Sequence, residues 1–197
     1  RQAFGVTLAR PSVFAFWWPR FERIAAWFIN EQASGTARPC ATEITGSLAF
    51  DAPHGRFTVT ARADRIDRAT DGRLVLIDYK TGGVPTGPEV AAGFEPQLPL
   101  EAAIARAGGF HGIPAADVAE MCYWRLSGGE PPGEVRTLSF DAEKAADEAL
   151  RGLENLLRAF DDLKTAYIAH PDPERGPAFD DYAHLARLKE WSAGGDP

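Results

Sequence analysis

Apolar residues recur at three- and four-residue spacing from Pro11 to about Ala33: Phe14, Trp17, Trp18, Phe21, Ile24, Ala25, Phe28 and Ile29. That spacing gives a helix one apolar face. Pro19 interrupts it, which predicts a kink or a second helix with Pro19 in its first turn. The wide aromatic stripe reads as core or as an interface with further sequence. Ser34–Thr42 is loop-like. Glu43–Phe50 reads as a strand, Asp51–Gly55 as a turn and Arg56–Asp67 as a second strand. In that second strand Phe57, Val59, Ala61, Ala63 and Arg65 alternate to one face. Ala69-Thr70-Asp71-Gly72 is a turn signal. Leu74-Val75-Leu76-Ile77 is a continuous apolar run, as in a strand covered on both faces.

Thr81–Glu95 is rich in Gly and Pro and reads as a loop. A helix opens near Pro96, runs to about Ala107 and is stopped by Gly108-Gly109. Val118–Leu126 and Glu134–Phe140 form another strand pair around Ser127–Gly133. Asp141 caps a long helix to about Ile168, with Ala145, Ala149, Leu150, Leu153, Leu156, Leu157, Phe160 and Leu163 on its apolar face. Pro171–Pro177 reads as a loop and Asp181–Trp191 as a final short helix. This order predicts one α/β domain over residues 1–197, with a mixed, mostly antiparallel sheet flanked by helices. Its parts are an N-terminal helix at 11–33, a core at 43–140 and C-terminal helices at 141–191.

The chain has 197 residues, 45% hydrophobic and 25% charged, an ordinary globular composition. No apolar run approaches the roughly 20 residues of a membrane helix, and no segment reads as a signal peptide. The expectation is a cytoplasmic protein without a membrane partner. Cys40 and Cys122 stand in no metal-ligand spacing and read as buried cytosolic thiols rather than a disulfide. Net charge is −7, with four lysines against 17 arginines. An acidic domain is a poor non-specific DNA binder, because such binding runs on phosphate neutralisation. Any nucleic-acid function must therefore rest on a local site. The chain opens on Arg1 and its one methionine is Met121, so it is expected to be a piece of something longer.

The chemically informative stretch is Ala61-Arg62-Ala63-Asp64-Arg65-Ile66-Asp67 followed by Leu76-Ile77-Asp78-Tyr79-Lys80. With the hairpin centred on Asp71, Asp64 faces Asp78, Ile66 faces Leu76 and Arg62 faces Lys80. Two carboxylates directly opposite repel each other, and a divalent cation between them reverses the sign. Hard oxygen ligands suit Mg²⁺ or Mn²⁺. Lys80, two residues after Asp78, projects from the same strand face and can orient a nucleophile or stabilise developing negative charge. Together these groups fit phosphodiester cleavage. The competing reading is a charged hairpin in which Asp64, Asp67 and Arg65 form solvated pairs. Asp-x-Lys alone is cheap: Asp162-Leu163-Lys164 repeats it, in a stretch that reads as helix, where residues two apart do not share a face. Gln97 and Glu101 share one face of the helix after the active strand, either at the site or as an ordinary polar first-turn pair. Glu43 reads as a strand-end charge, with a third carboxylate as the alternative. His54, His111, His170 and His184 all fall in loops or on helix surfaces.

Three motifs resemble the PD-(D/E)XK nucleases of the RecB type. They are Asp64-Arg65-Ile66-Asp67, Ile77-Asp78-Tyr79-Lys80-Thr81-Gly82 and Pro96-Gln97-Leu98-Pro99-Leu100. More closely, they resemble the C-terminal nuclease domains of the AddB group, subunits of a helicase–nuclease for double-strand break repair. Phe16–Phe21, Tyr123–Gly129 and Asp181–Arg187 are similar to the same group. The resemblance implies a restriction-endonuclease-like core and an Mg²⁺- or Mn²⁺-dependent exodeoxyribonuclease. It implies that Asp64, Asp78 and the main-chain carbonyl of Tyr79 are metal ligands, Lys80 the catalytic lysine and Gln97 the family's glutamine. The implied partners are single-stranded DNA delivered by a helicase and an AddA-type helicase subunit.

This chain departs from that pattern in four places. Ala61 stands where glycine is usual, and Glu101 where many members have tyrosine. The four cysteines of an iron–sulfur cluster are not in this chain. No histidine precedes Glu43, so a family motif that carries a metal-ligating histidine is expected upstream of Arg1, and the fragment is expected to cleave weakly. The alternative function is an inactive nuclease-fold module that docks a partner subunit or DNA, to which the surface of Trp17, Trp18 and Trp27 would be suited. A third reading is an enzyme of this fold acting on RNA or a small phosphoester.

Overall fold

The computed structural model describes residues 10–168. The chain divides into two compact units, Arg1–Arg158 and Ala159–Pro197. In the second unit, the described residues hold a stack of the Phe160 and Tyr167 rings, 4.6 Å between centroids. The expected loop at Pro171–Pro177, the helix at Asp181–Trp191, and His170 and His184 lie outside the described residues.

The first unit is built on five strands: β1 (Arg38–Ala52), β2 (Gly55–Arg68), β3 (Leu74–Lys80), β4 (Val118–Arg125) and β5 (Glu134–Thr137). They lie side by side in chain order. Every neighbouring pair is antiparallel except β3 and β4, which are parallel. The helices are α1 (Trp18–Ser34), α2 (Gly87–Ala91), α3 (Gln97–Arg106) and α4 (Ala142–Phe160). A parallel pair needs a crossover connection, and α2 and α3 lie on the one between β3 and β4. The fold is thus the mixed, mostly antiparallel sheet with flanking helices expected of a restriction-endonuclease-like core.

The central strands bury both faces. On one, Ala63, Ile66, Leu74, Leu76, Met121 and Tyr123 join Leu98, Ala102 and Ile104 of α3 and Ala142 and Ala146 of α4. On the other, Val75, Ile77, Cys122 and Trp124 pack with Trp27 and Phe28 of α1. Phe28 and Trp27 meet Trp124 with centroids 5.4 and 5.6 Å apart, near edge-to-face. The β2–β3 turn closes where expected: Gly72 takes φ 89°, and the Asp71 carboxylate accepts hydrogen bonds from the N–H and Nε of Arg73.

Several expectations are corrected. Arg38–Thr42 is strand rather than loop, because it pairs with β2, and Pro39 is tolerated on this edge strand beside a register shift. Arg65 does not share a face with Ala63. Ala41 and Ile44 of β1 both pack against the core of α3, as do Ala63 and Ile66 of β2, although each pair is three residues apart. Both strands therefore reverse their alternation at the same level, where Glu43 adopts a left-handed φ of 51°. The Thr81–Glu95 loop contains α2, started by a capping box between Thr86 and Glu89. The β5 strand stops at Thr137, and α4 at Phe160. Asp162-Leu163-Lys164 falls in the turn after that helix. Asp141 does cap α4, accepting from the N–H groups of Glu143 and Lys144, but beyond Ala146 the apolar stripe of α4 is at most half-buried.

Cys122 is buried, and its thiol is pushed up to about 12 by burial, whereas Cys40 is exposed on the edge strand. The aromatic stripe splits. Trp27 and Phe28 cover the sheet, while Phe14, Phe16 and Trp17 are exposed around a π-helical turn, Val13–Trp17, that precedes Pro19. No helix among the described residues is long and apolar enough to cross a membrane.

Gly46 of β1 lies under the loop after α3, where a Cβ would overlap the Phe110 ring and Ile104. Gly46→Val should destabilise the unit by about 1–3 kcal/mol through overpacking, read as a lower urea midpoint. Gly152→Ala in α4, where a Cβ meets open space, should be neutral or stabilising by up to about 1 kcal/mol.

Candidate active site

The β2–β3 ladder runs from Arg68↔Leu74 to Arg65↔Ile77 and then opens. Asp64 is the next residue of β2, at the fork. Its Oδ2 accepts the main-chain N–H of Tyr79 at 2.9 Å. A backbone donor that has lost its strand partner is thus satisfied by a carboxylate. The same bond fixes Asp64 beside the residue that follows Asp78.

Asp78 lies two and four residues after Leu76 and Leu74 and shares their face. It is 3% exposed. Its Oδ1 accepts from Gln97 Nε2 at 2.8 Å, and its Oδ2 lies 2.9 Å from Lys80 Nζ. That ammonium pairs with Oδ2 as an ion pair, and no second hydrogen-bond donor reaches this buried oxygen. Lys80 stands over the Tyr123 ring, 5.8 Å from its centroid. Gln97 opens α3 and splits its amide between two acids, donating also to Glu101 Oε1 at 3.2 Å. Glu101, one turn along the helix, is 1% exposed.

The electrostatics of this cluster are unbalanced. Burial raises the Asp78 carboxyl above its usual range, and the charge of Asp64 adds to the shift, while Lys80 and Gln97 oppose it. Burial pushes Glu101 up to about 7, with the charges of Asp78 and Asp64 adding to it and Gln97 and Lys80 opposing. One ammonium thus faces three carboxyl groups in a region of low dielectric. The pressure is relieved by protons or by a cation. The oxygens of Asp64 and Asp78 are hard donors of the kind that suits Mg²⁺ or Mn²⁺. The Oδ2 of Asp78, met by Lys80 alone, fits such an ion. Among the described residues no group of three or more His, Cys, Asp or Glu is arranged to hold a metal ion.

Asp64, Asp78, Tyr79, Lys80 and Gln97 are all brought together, and Glu101 joins them. Other candidates stand apart. Glu43 lies within β1, exposed, 2.9 Å from Arg62 in an ion pair. Arg62 therefore does not face Lys80; the ladder has already opened. His54 and His111 are exposed in loops. Asp67 is on the opposite face, paired in two-pronged fashion with Arg65 at 2.6 and 2.5 Å. That pair is buried, not solvated. The Arg65 guanidinium lies 5.1 Å from the Trp124 ring centroid and 5.9 Å from that of Phe28, and it donates to the Tyr79 hydroxyl at 3.4 Å. Sequence reasoning missed this clamp. Its signal was the Arg65-x-Asp67 spacing, which puts both side chains on one strand face.

Residues 5–175 match the PD-(D/E)XK nuclease superfamily. The chain belongs to that superfamily. Membership carries nuclease chemistry, the hydrolysis of a phosphodiester, in a family that generally uses Mg²⁺ or Mn²⁺. An uncharacterized protein of Rickettsia bellii is 26% identical over 157 residues, which cover 73% of this chain and 18% of that protein. An uncharacterized protein of Rickettsia typhi is 33% identical over 69 residues, 35% of this chain and 8% of that protein. The chain therefore spans less than a fifth of the length of these relatives. A crystal structure of SSO0001 is similar with a TM-score of 0.38 at 14% identity, over 87% of this chain and 75% of the other.

Glu101 makes stability depend on pH. Its folded value, about 7, is above the ordinary 4.5, so the folded state holds the extra proton. The resulting stabilisation is complete below pH 4.5 and is lost as pH rises through 7. With EDTA present, raising the pH across that window should cost up to about 3 kcal/mol. Glu101→Gln should remove that component, seen as a smaller difference between urea midpoints at acid and mildly alkaline pH.

Proposed function

We propose that this chain is the nuclease domain of a helicase–nuclease subunit, an exodeoxyribonuclease acting in double-strand break repair. The observation that carries the reading is the buried Asp78 carboxylate, with its Oδ2 held by the Lys80 ammonium alone and Asp64 bound to the next residue of the strand. The AddB-like motifs support the finer assignment, with single-stranded DNA delivered by an AddA-type helicase subunit as substrate.

In this mechanism Asp64, Asp78 and the Tyr79 carbonyl would hold Mg²⁺, which would supply Lewis-acid polarisation of the phosphate and make a bound water more acidic. Lys80, already at the site and only partly exposed, turns from Asp78 to the attacking oxygen and the phosphate. There its charge stabilises the negative charge that develops in the transition state. Gln97 holds the Oδ1 side of Asp78, so Oδ2 keeps a fixed direction. Glu101 accepts the second N–H of the same amide and prevents Gln97 from rotating. The acidic net charge does not oppose this function, because a strand fed by a motor need not be held tightly by the nuclease itself.

A second reading, an inactive nuclease-fold module that docks a partner subunit or DNA, is favoured by the engagement of Asp78 with Gln97 and Lys80. Calorimetric titration with Mn²⁺ separates the two readings, since a docking module takes up no ion. Asp78→Asn and Lys80→Ala should each lower Mg²⁺-dependent cleavage of end-labelled DNA by roughly a hundredfold or more, with each variant still unfolding cooperatively in urea. Asp78→Asn should also abolish the heat of Mn²⁺ binding. Unchanged cleavage in both variants would remove the site from the mechanism.

A further inference from the structure

A second surface of unusual chemistry lies around the end of the same strand. A groove of about 420 Å³ is lined by Trp17, Trp18, Arg20, Phe21, Thr81 and Ser127, among others. Thr81 directly follows Lys80, and Ser127 lies two residues past the end of β4. The groove therefore opens at the carboxyl ends of the parallel pair β3 and β4, where open α/β sheets bind ligands. Its aromatic wall continues outward into Phe16 and Trp17, which are 73% and 63% exposed.

This wall is held in place. Arg23 Nε donates to the Gly128 carbonyl at 2.8 Å. Gly128 itself, at φ 63°, lies against the Arg20 backbone so closely that a Cβ would collide with it. The loop after β4 and the first turns of α1 are thus locked together.

Among the described residues that line the groove, the charged one is Arg20. Arg20 is exposed, with its guanidinium carbon 5.8 Å from the Trp17 ring centroid. Arg23 is exposed as well, and neither forms an ion pair among the described residues. Arg125 binds the Gly82 carbonyl and lies 4.0 Å from Glu134. The nearest acid on the helix, Glu22, accepts from Trp18 Nε1 at 2.7 Å. In a protein of net charge −7, exposed indole and phenyl faces interleaved with two exposed arginines stand out in both composition and sign. Aromatic faces take bases by stacking and arginines take the backbone between them, the combination that holds single strands without reading their sequence.

We infer that the Trp17–Arg20 surface is a stacking platform for single-stranded DNA, continuous with the strand end that bears Lys80. The inference rests on the proposed nuclease reading for its direction: unpaired bases stack on Trp17 and Phe16, and the backbone between them passes Arg20 and Arg23 towards Asp64 and Asp78. A duplex cannot use the platform, because its bases are already stacked.

The test is anisotropy of a dye-labelled thymidine oligonucleotide of about a dozen nucleotides, in EDTA so that binding is read without cleavage. Trp17→Ala should weaken binding roughly tenfold or more, and Trp17→Phe should restore most of it. Phe16→Ala should weaken it in the same sense. Arg20→Ala should flatten the dependence of affinity on salt. A duplex of the same length should bind weakly and respond little to Trp17→Ala. Equal binding by the intact chain and Trp17→Ala would overturn the platform, as would self-association of the intact chain that Trp17→Ala abolishes while DNA binding is unchanged. Failure of the platform and failure of the nuclease reading are distinguishable. An intact chain that binds the oligonucleotide through Trp17 but cleaves nothing with Mg²⁺ keeps the platform and loses the nuclease. One that cleaves with the same KM as Trp17→Ala keeps the nuclease and loses the platform.

Discussion

The hydrogen bond from the Tyr79 N–H to the Asp64 carboxylate is the contact on which the site depends. A β-ladder that opens inside a protein leaves main-chain groups without partners, and leaving such a group buried and unpaired is expensive. Here β2 and β3 separate after Arg65↔Ile77, and the carboxylate takes the place of the missing strand. The fork is closed on the strand side and open on the other, where Asp78 and Lys80 project. Were the ladder to continue, Asp64 would lose this role and the space between the two acids would fill with paired backbone.

The fork holds its position because the other face of the same strands is clamped. Arg65 and Asp67 are buried together, with the guanidinium against Trp124 and Phe28 and reaching the Tyr79 hydroxyl. A buried ion pair is a poor source of stability, since desolvation offsets much of the attraction. Its effect here is on register. A one-residue slip of β2 against β3 would turn Arg65 and Asp67 together into the apolar core under α3 and away from Trp124, Phe28 and the Tyr79 hydroxyl. The alternation of β3 thus splits the strand's work: Val75, Ile77 and Tyr79 anchor α1, while Leu74 and Leu76 anchor α3 and lead into Asp78.

The centre of the molecule was legible in the sequence for a physical reason. A strand buried on both faces has to be a run such as Leu74–Ile77, and a turn such as Asp71-Gly72 permits few registers, so Ile66↔Leu76 could be foreseen. The break in alternation was not legible. It depends on Glu43 adopting a left-handed backbone, which no periodicity announces, and it is why Arg65 faces away from Ala63. The edge was misjudged for the opposite reason. Arg38–Thr42 has little apolar content and becomes strand only because β2 offers it partners. At the site, Asp64, Asp78, Lys80 and Gln97 could be named from spacing and from family resemblance. The state of Glu101 could not, because it follows from burial beneath three other charged groups rather than from its place in a motif.

That burial links stability to function in the proposed mechanism. Without an ion, the cluster is most stable when Asp78 and Glu101 hold protons, since burial and mutual repulsion raise both. An ion requires the ionised carboxylates. The conditions that favour the empty fold are therefore those that oppose the loaded one, and the free energy stored in crowded acids at one end of the sheet becomes affinity for a divalent cation. A core of the same shape with one carboxyl replaced by an amide would be the better fold and the poorer metal site. On this argument the imbalance of three acids against one lysine is the working state of the site, and the rigid clamp beneath it is what allows the fold to tolerate it.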